Sequence, residues 1–394
     1  MKRLLKISLD LFLLSFVPVI SWFCLSLIVD KNLINIFTLT YPIQFIWYIL
    51  KSIFSTGANI NKEKDNNKDA VMSGIIIGSI LSFFIYILLA LNIVPYIKFM
   101  NMDVNLYKNF AIYSILQLFI QLVFMFIVEK LYYEEKNSLA NKYSIIFNLL
   151  NFIILIGTSL ITKNQIIIIT LTLISILCFT IYIFIKHFDK FQFNIKIGKW
   201  IKYDSVELFN NIAFFFIFLF GLSNTMEFGE QYTLALTFVA LITDCQWDAF
   251  TSITEAANID ISKKKFNYKE HIKNGYKLLL LLLLSSFTMF IILLSFYDLN
   301  IKLVIIYFGI ELINFILYPI YKINTCYLRL EYSAIKTTAN KIIANIFRLI
   351  ISLFPSPFCT GLGQICSTIY QHISTNIMFR KNFYINKDNI IKRK

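Results

Sequence analysis

From Val71 to Val94, and again from Gln165 to Ile185, the chain runs without a single Asp, Glu, Lys or Arg. Stretches of this length and purity fit one solvent. A bilayer core is about 30 Å thick and an α-helix rises about 1.5 Å per residue, so about 20 apolar residues cross it. Inside lipid the backbone must satisfy its own hydrogen bonds, which selects helix. Runs bounded by charged or turn-rich breaks define further spans: Ser8–Val29, Ile34–Thr56, Asn109–Leu131, Tyr143–Ile161, Val206–Thr225, Gln231–Ile253, Tyr276–Tyr297, Leu303–Tyr321, Thr337–Phe354 and Phe358–Met378. Hydrophobic residues make up 58% of the 394 and charged residues 15%, against about 25% charged in a soluble domain. The fold expected is all-α: a polytopic membrane protein of about twelve transmembrane helices, with no connection long enough to fold alone.

The distribution of charge tests these spans. With the N-terminus placed in the cytoplasm, thirty of the 37 Lys and Arg fall in the tails, the cytoplasmic loops and the span ends that border them. Only Lys31, Lys98, Lys108, Lys163 and Lys302 lie on the opposite side. Such alternation is the positive-inside rule, and it places both termini in the cytoplasm and the protein in the cell membrane. It also explains the net charge of +14 without nucleic acid, since no basic patch sits in a soluble fold. The cysteines (Cys24, Cys178, Cys245, Cys326, Cys359, Cys366) form no CxxC pair and read as small core residues. His187, His271 and His372 are scattered, so neither a metal site nor a catalytic triad is expected. Lys2-Arg3 and the apolar stretch behind them resemble a signal peptide, but the stretch is too long and lacks a small-x-small cleavage site, so it is read as the first helix.

The chain also repeats itself. Ser8-Leu9-Asp10-Leu11-Phe12 matches Ser205-Val206-Glu207-Leu208-Phe209, Gly57-Ala58-Asn59-Ile60-Asn61 matches Ala256-Ala257-Asn258-Ile259-Asp260, and Ile145-Ile146 with Asn148 recurs as Ile342-Ile343 with Asn345. The offsets stay near 200 residues and join the first helix to the seventh, the second to the eighth and the fifth to the eleventh. Two six-helix pseudo-symmetric halves follow: a lobe over 1–190, a cytoplasmic link over 191–204 and a lobe over 205–394. An even number of helices separates the copies, so the halves share orientation about an axis along the membrane normal, a geometry suited to alternating access.

With this repeat, Pro18 in the first helix, the paired helix ends Gly57-Ala58-Asn59 and Ala256-Ala257-Asn258, and the link from Lys186 to Asp204, nearly the whole chain resembles the MATE-like multidrug exporters. It equally resembles the wider superfamily of multidrug, oligosaccharidyl-lipid and polysaccharide flippases. The resemblance implies a twelve-helix transporter. The chain departs from it in being somewhat shorter, with tight loops, and in lacking a central carboxylate in Val206–Thr225, where exporters of the family often place a coupling acid.

A charge within hydrocarbon costs at least about 2.5–3.5 kcal/mol near the centre, so each one marks a candidate site. On the eighth span Asp244, Asp248 and Glu255 fall within about 40° of one another at 100° per residue, with Thr237 and Thr251 on the same stripe. Crowded, desolvated carboxylates hold protons, so this face is a candidate cation, proton or substrate site. The alternative is that Glu255 sits at the interface and Asp248 pairs with a cation. Glu311 and Arg348 share a depth and are expected to form an ion pair between the tenth and eleventh spans, either structural or broken during transport. Gln117 and Gln121 on one face of the fourth span, and Asn148 and Asn151 on the fifth, either knit helices or bind substrate. Asp10 and Glu207 occupy matching positions, as helix caps or as inner gates, and Pro18, with Pro42 and Pro319, would kink its span.

The leading expectation is a secondary active transporter that exports organic cations or amphiphiles, coupled to H⁺ or Na⁺, with no cofactor and no enzymatic activity. No nucleotide-binding loop occurs, so ATP is not the direct energy source. The rival is a flippase for a lipid-linked oligosaccharide or polysaccharide precursor, whose phosphates favour a cleft of Arg and Lys. A third reading is an intramembrane prenyl- or glycosyl-transferase, since Asp244 and Asp248 have DxxxD spacing for Mg²⁺, though no second acidic motif accompanies them. Membrane lipid is an expected partner and nucleic acid is not. The oligomeric state stays open, a monomer included.

Overall fold

The computed structural model describes residues 4, 5, 8, 12, 16, 20, 21, 23–134, 136–203, 205–262, 265–296 and 299–391. Within them the chain is all-α. Residues 23–28 are helical. The second expected span is α1 (Asn35–Lys51), continued by a π-helical turn (Ser52–Gly57) into α2 (Ala58–Asp65). α3 (Ala70–Leu91), followed by the short α4 (Ile93–Phe99), α5 (Val104–Tyr133), α6 (Asn137–Ile161) and α7 (Gln165–Lys186) complete the first half. A short helix not expected from the sequence, α8 (Ile197–Tyr203), lies in the link. Beyond it come α9 (Ser205–Glu227), α10 (Glu230–Ser262), α11 (Tyr268–Leu294), α12 (Ile301–Glu331), α13 (Ala334–Ser352) and α14 (Cys359–Ile391). Helix therefore underlies every span expected from the second to the twelfth. Pro42 and Pro319 lie inside α1 and α12 without ending either. Asp10 and Pro18 fall outside the described residues.

Seven of these helices are long and apolar enough to cross a membrane: those holding Ala70–Leu91, Val104–Leu131, Ser138–Ile161, Gln165–Lys186, Leu208–Glu227, Tyr268–Ile291 and Ile301–Arg329. Their outward faces carry bare hydrocarbon: Ile80, Phe84 and Leu88 on α3, Leu280, Leu284 and Phe287 on α11. A surface of this kind is stable only against lipid. The remaining long helices miss the same test for local reasons. α1 has only 17 residues before its π turn, and α10 carries Asp244, Asp248 and Glu255 along its length.

Residues 17–227 form one compact unit, and residues 228–394 with 1–16 form another. In the first, α9 packs on α1 through Phe45 and Phe218, stacked with centroids 5.2 Å apart, and Tyr41 meets Phe218 edge-on at 4.7 Å. α5 packs on α6 and α7 around Phe124, which stacks on Phe147 at 4.4 Å. In the second unit Phe250, Leu278, Phe315 and Tyr318 join α10, α11 and α12, and Leu4 lies in the same cluster.

Small residues set the closest approaches, as expected where lipid supplies no hydrophobic drive between helices. A methyl group added to Gly74 would run into the backbone carbonyl of Phe54 and come within 2.9 Å of Ala58 Cβ, so α3 meets the π turn backbone to side. At Gly78 the same addition would meet Phe54 Cβ at 2.7 Å and Phe126 Cε2 at 2.9 Å. Gly157 and Gly309 face open space instead. We expect Gly74→Ala to cost about 1–3 kcal/mol by overpacking, read as a lower thermal midpoint of the detergent-solubilised protein. Gly309→Ala should leave the midpoint unchanged or raise it.

Candidate functional site

In the second unit α10 and α12 meet through aromatic rings. Trp247 lies 4.4 Å from Phe315 and 5.2 Å from Tyr318, and Phe250 stacks on Phe315 at 5.4 Å. This packing fixes the indole, whose Nε1 donates to Glu311 Oε2 at 3.1 Å. Glu311 precedes Phe315 by one helical turn, so carboxylate and ring share a face of α12. From α14, Gln364 Nε2 donates to the same Oε2 at 3.4 Å, while Gln364 Oε1 accepts from Arg348 Nη2 of α13 at 3.0 Å. The amide of Gln364 thus stands between the acid and the base that the sequence places at one depth, linking three helices in one polar chain. Glycines make room for it. A Cβ on Gly363 would lie 2.9 Å from Arg348 O, and one on Gly361 would lie 2.6 Å from Ile310 Cγ2.

Beside this chain lie two amides with unfilled hydrogen bonds. Gln246, next to Trp247, is fully buried, and neither its Oε1 nor its Nε2 has a partner among the described residues. Asn314, next to Phe315, is also fully buried. Its Nδ2 donates to Ile310 O at 3.2 Å, but its Oδ1 is unpartnered among the described residues. Unpaired buried groups cost about 1–3 kcal/mol each and call for a reason. Each is the immediate sequence neighbour of a ring in the aromatic cluster that fixes the Trp247 indole against Glu311.

Asp244 is half-buried three residues before Trp247. Asp248, Thr251 and Glu255 lie on α10, but their side chains fall outside the described residues, as does that of Glu207 on α9. Thr237 is fully buried, its hydroxyl donating to Thr233 O at 2.8 Å, which makes it part of the helix packing. Trp247 and Gln364 escaped the sequence reading. Trp247 sits between the two aspartates that the DxxxD spacing singles out, and Gln364 lies in the most polar span.

The first unit carries its own polar groups. Gln117 and Gln121 are half-buried on α5, and neither makes a side-chain hydrogen bond among the described residues. Asn151 is buried, with Oδ1 unpartnered among the described residues. A carboxylate does reach the second span: Glu129 of α5 accepts from Thr56 Oγ1 at 2.6 Å and lies 3.7 Å from Lys51 Nζ. Acidity is therefore not confined to the second half, because α5 supplies what α1 lacks. At the next residue Lys130 is buried, its ammonium donating to His187 O at 2.7 Å and pairing with Asp189 at 2.5 Å and Glu134 at 3.7 Å. The ring of His187 meets Tyr143 Oη through Nε2 at 3.1 Å. Among the described residues no group of three His, Cys, Asp or Glu could hold a metal ion.

Burial first, and then the charges of Lys130, Lys136 and Lys186, push the His187 imidazole below its ordinary value of 6.5. The folded protein thus favours neutral His187, while the unfolded chain takes up a proton near pH 6.5. The stability that His187 contributes is present above that pH and lost as pH falls through the folded value. Between pH 7.5 and 5.5 the thermal midpoint of the wild type should fall by more than that of His187→Gln. Equal falls would show that His187 is not the titrating group.

No family model and no curated protein sequence matches the chain. Solved structures do. A multidrug resistance MATE family transporter of the MOP superfamily, in an inward-facing conformation, is similar over 96% of this chain and 98% of its own, with a TM-score of 0.67 and 12% identity. The outward-facing conformation of such a transporter gives 0.62 and 13% over 98% and 96%. A MOP superfamily transporter from Pyrococcus furiosus, described as having a binding pocket of reverse polarity that suggests a different function, gives 0.60 and 14% over 96% of each chain. At this identity the likeness speaks of architecture, and it extends over nearly every residue of both molecules. The chain has the twelve-helix membrane fold of the MATE transporters of the MOP superfamily.

Proposed function

We propose that the protein is a secondary active transporter working by alternating access, exporting organic cations or amphiphiles in exchange for H⁺ or Na⁺. The observation that carries this reading is Glu311, a carboxylate within a membrane-spanning helix, held by Trp247 and Gln364. Such an acid is worth its desolvation cost only if its charge is used. Ionised, Glu311 accepts both hydrogen bonds and attracts a cation. Neutralised by a proton or Na⁺, it releases that cation, so the two ions compete for one site. Asp244 is a second acid in this reading, and Asp248, Thr251 and Glu255 follow it in the sequence of α10. In this reading both termini are cytoplasmic, as the alternation of Lys and Arg favours.

The structural neighbours are transporters, which favours transport over the intramembrane transferase chemistry that DxxxD spacing allows. One observation supports a second reading. Arg348 joins the same polar chain through Gln364, and a guanidinium in a span suits the phosphates of a lipid-linked precursor.

Proteoliposomes loaded with a fluorescent organic cation and subjected to a pH or Na⁺ jump separate these readings. Glu311→Gln should slow gradient-driven cation movement at least about tenfold, the size of a lost coupling acid, while keeping the wild-type thermal midpoint. Asp244→Asn with Asp248→Asn should slow it further. Full transport by Glu311→Gln sinks the coupling role. No cation movement by wild type, together with scrambling of a pyrophosphoryl lipid that Arg348→Gln abolishes, makes the protein a flippase.

A further inference from the structure

The link between the repeats is no slack tether in its first part. After α7 ends at Lys186 the chain runs without helix to Ile197, and the first unit holds it along its length. Asp189 pairs with buried Lys130, Gln192 N donates to Asp69 Oδ1 at 3.1 Å, and Asn194 N donates to Ser73 Oγ at 3.1 Å. Asn194 Nδ2 donates to Asn67 Oδ1 at 2.9 Å. At the far end Trp200 is fully buried, its carbonyl against Gly57, and Lys199 pairs with Asp65 at 2.8 Å. All polar anchors of the strap thus point to the protein.

Its apolar side chains do not. Phe188 is 46% exposed, Phe193 66%, Ile195 54% and Ile197 38%. The rings form a row: Phe184 to Phe188 at 5.5 Å, Phe188 to Phe191 at 6.0 Å and Phe191 to Phe193 at 5.0 Å. This row begins on α7, which carries no charged residue from Gln165 to Ile185, and continues past the point where α7 ends. Interleaved with it are Lys190 and Lys196, both exposed and neither paired with a carboxylate among the described residues, whereas Asp189 and Lys199 are already engaged within the protein. Hydrogen-bonded backbone on one side, with bare aromatic rings and unpaired ammonium groups on the other, matches one surface. Acyl chains and glycerol take the rings, and anionic headgroups take the lysines.

We propose that residues 188–197 are a lipid-binding strap that lies in the membrane interface and selects anionic phospholipid through Lys190 and Lys196. The rings enter at the level of the headgroups while the strap's hydrogen bonds keep it in register with α3. The anionic component comes from the bilayer and not from a soluble phosphate, because the apolar row has no use for a free ion.

Full-length protein carrying Phe193→p-benzoylphenylalanine, reconstituted in vesicles of equal parts phosphatidylglycerol and phosphatidylcholine, tests this. Irradiation should yield lipid adducts with at least about a threefold excess of phosphatidylglycerol, as expected from attraction to basic residues near a membrane surface. Lys190→Gln with Lys196→Gln should bring that ratio to the bulk value while adducts persist. Adducts in the bulk ratio before those substitutions overturn the selectivity. Absence of lipid adducts, or adducts to protein chains instead, overturns the strap's placement. A parallel probe, Phe84→p-benzoylphenylalanine on the exposed face of α3, should label lipid without headgroup preference and confirms that reconstitution and photochemistry worked.

Discussion

Lipid offers no hydrogen bonds, and that single deficiency shapes the molecule. Every backbone group must find its partner within the helix, every buried polar side chain must find one on its own helix or a neighbouring one, and hydrocarbon faces outward. The bare rings and aliphatics along α3, α7 and α11 are the outward result. The inward result is a set of short polar bridges. Tyr96 Oη on Leu39 O at 2.6 Å, Tyr307 Oη on Pro357 O at 2.8 Å and Asn324 Nδ2 on Asn376 Oδ1 at 2.8 Å each tie one element to another. Where the bridges leave groups unfilled, as at Gln246 and Asn314, the same rule makes the vacancy informative.

The two units answer the rule differently. In the second, polar groups from four helices converge, with Trp247, Glu311, Arg348 and Gln364 in one hydrogen-bonded chain. In the first, the charged groups Lys51, Glu129 and Lys130 gather where Asp189 anchors the link, while Gln117, Gln121 and Asn151 lie along the helices. Lys130 is buried while Asp189 is largely exposed, so the desolvation of the ammonium offsets most of the attraction and the pair adds little to stability. Lys130 serves to position the chain leaving α7 rather than to hold the bundle together.

The span pattern was legible because hydrocarbon thickness imposes a length on the sequence, and charge-free runs such as Gln165–Ile185 display that length without ambiguity. The acid and base at Glu311 and Arg348 were legible too, since charge in a span is rare enough to stand out. Gln364 was not, because an amide in a polar span looks like any other, and only coordinates reveal that it touches both. Glu129 escaped for a different reason. It sits at the end of its helix, where a carboxylate is unremarkable, and its approach to Thr56 is set by how α5 crosses α1, which no periodicity encodes. α8 was hidden in the link because seven residues are too few for amphipathic spacing to declare itself, although burial of Trp200 makes it a fixed part of the first unit.

The π turn at Ser52–Gly57 carries an inserted residue relative to regular α-helix. Relaxing it to α geometry would slip the downstream segment by one position and rotate α2 by about 100°. That rotation would swing Asp65, which Asn61 holds within α2 at 2.7 Å, away from Lys199, with which it pairs at 2.8 Å, and would drive a side chain into the space that Gly57 leaves for Trp200. The phase of the second span is therefore locked from the outside, by a tryptophan some 140 residues downstream, so that the connector acts as a keystone for a helix laid down long before it.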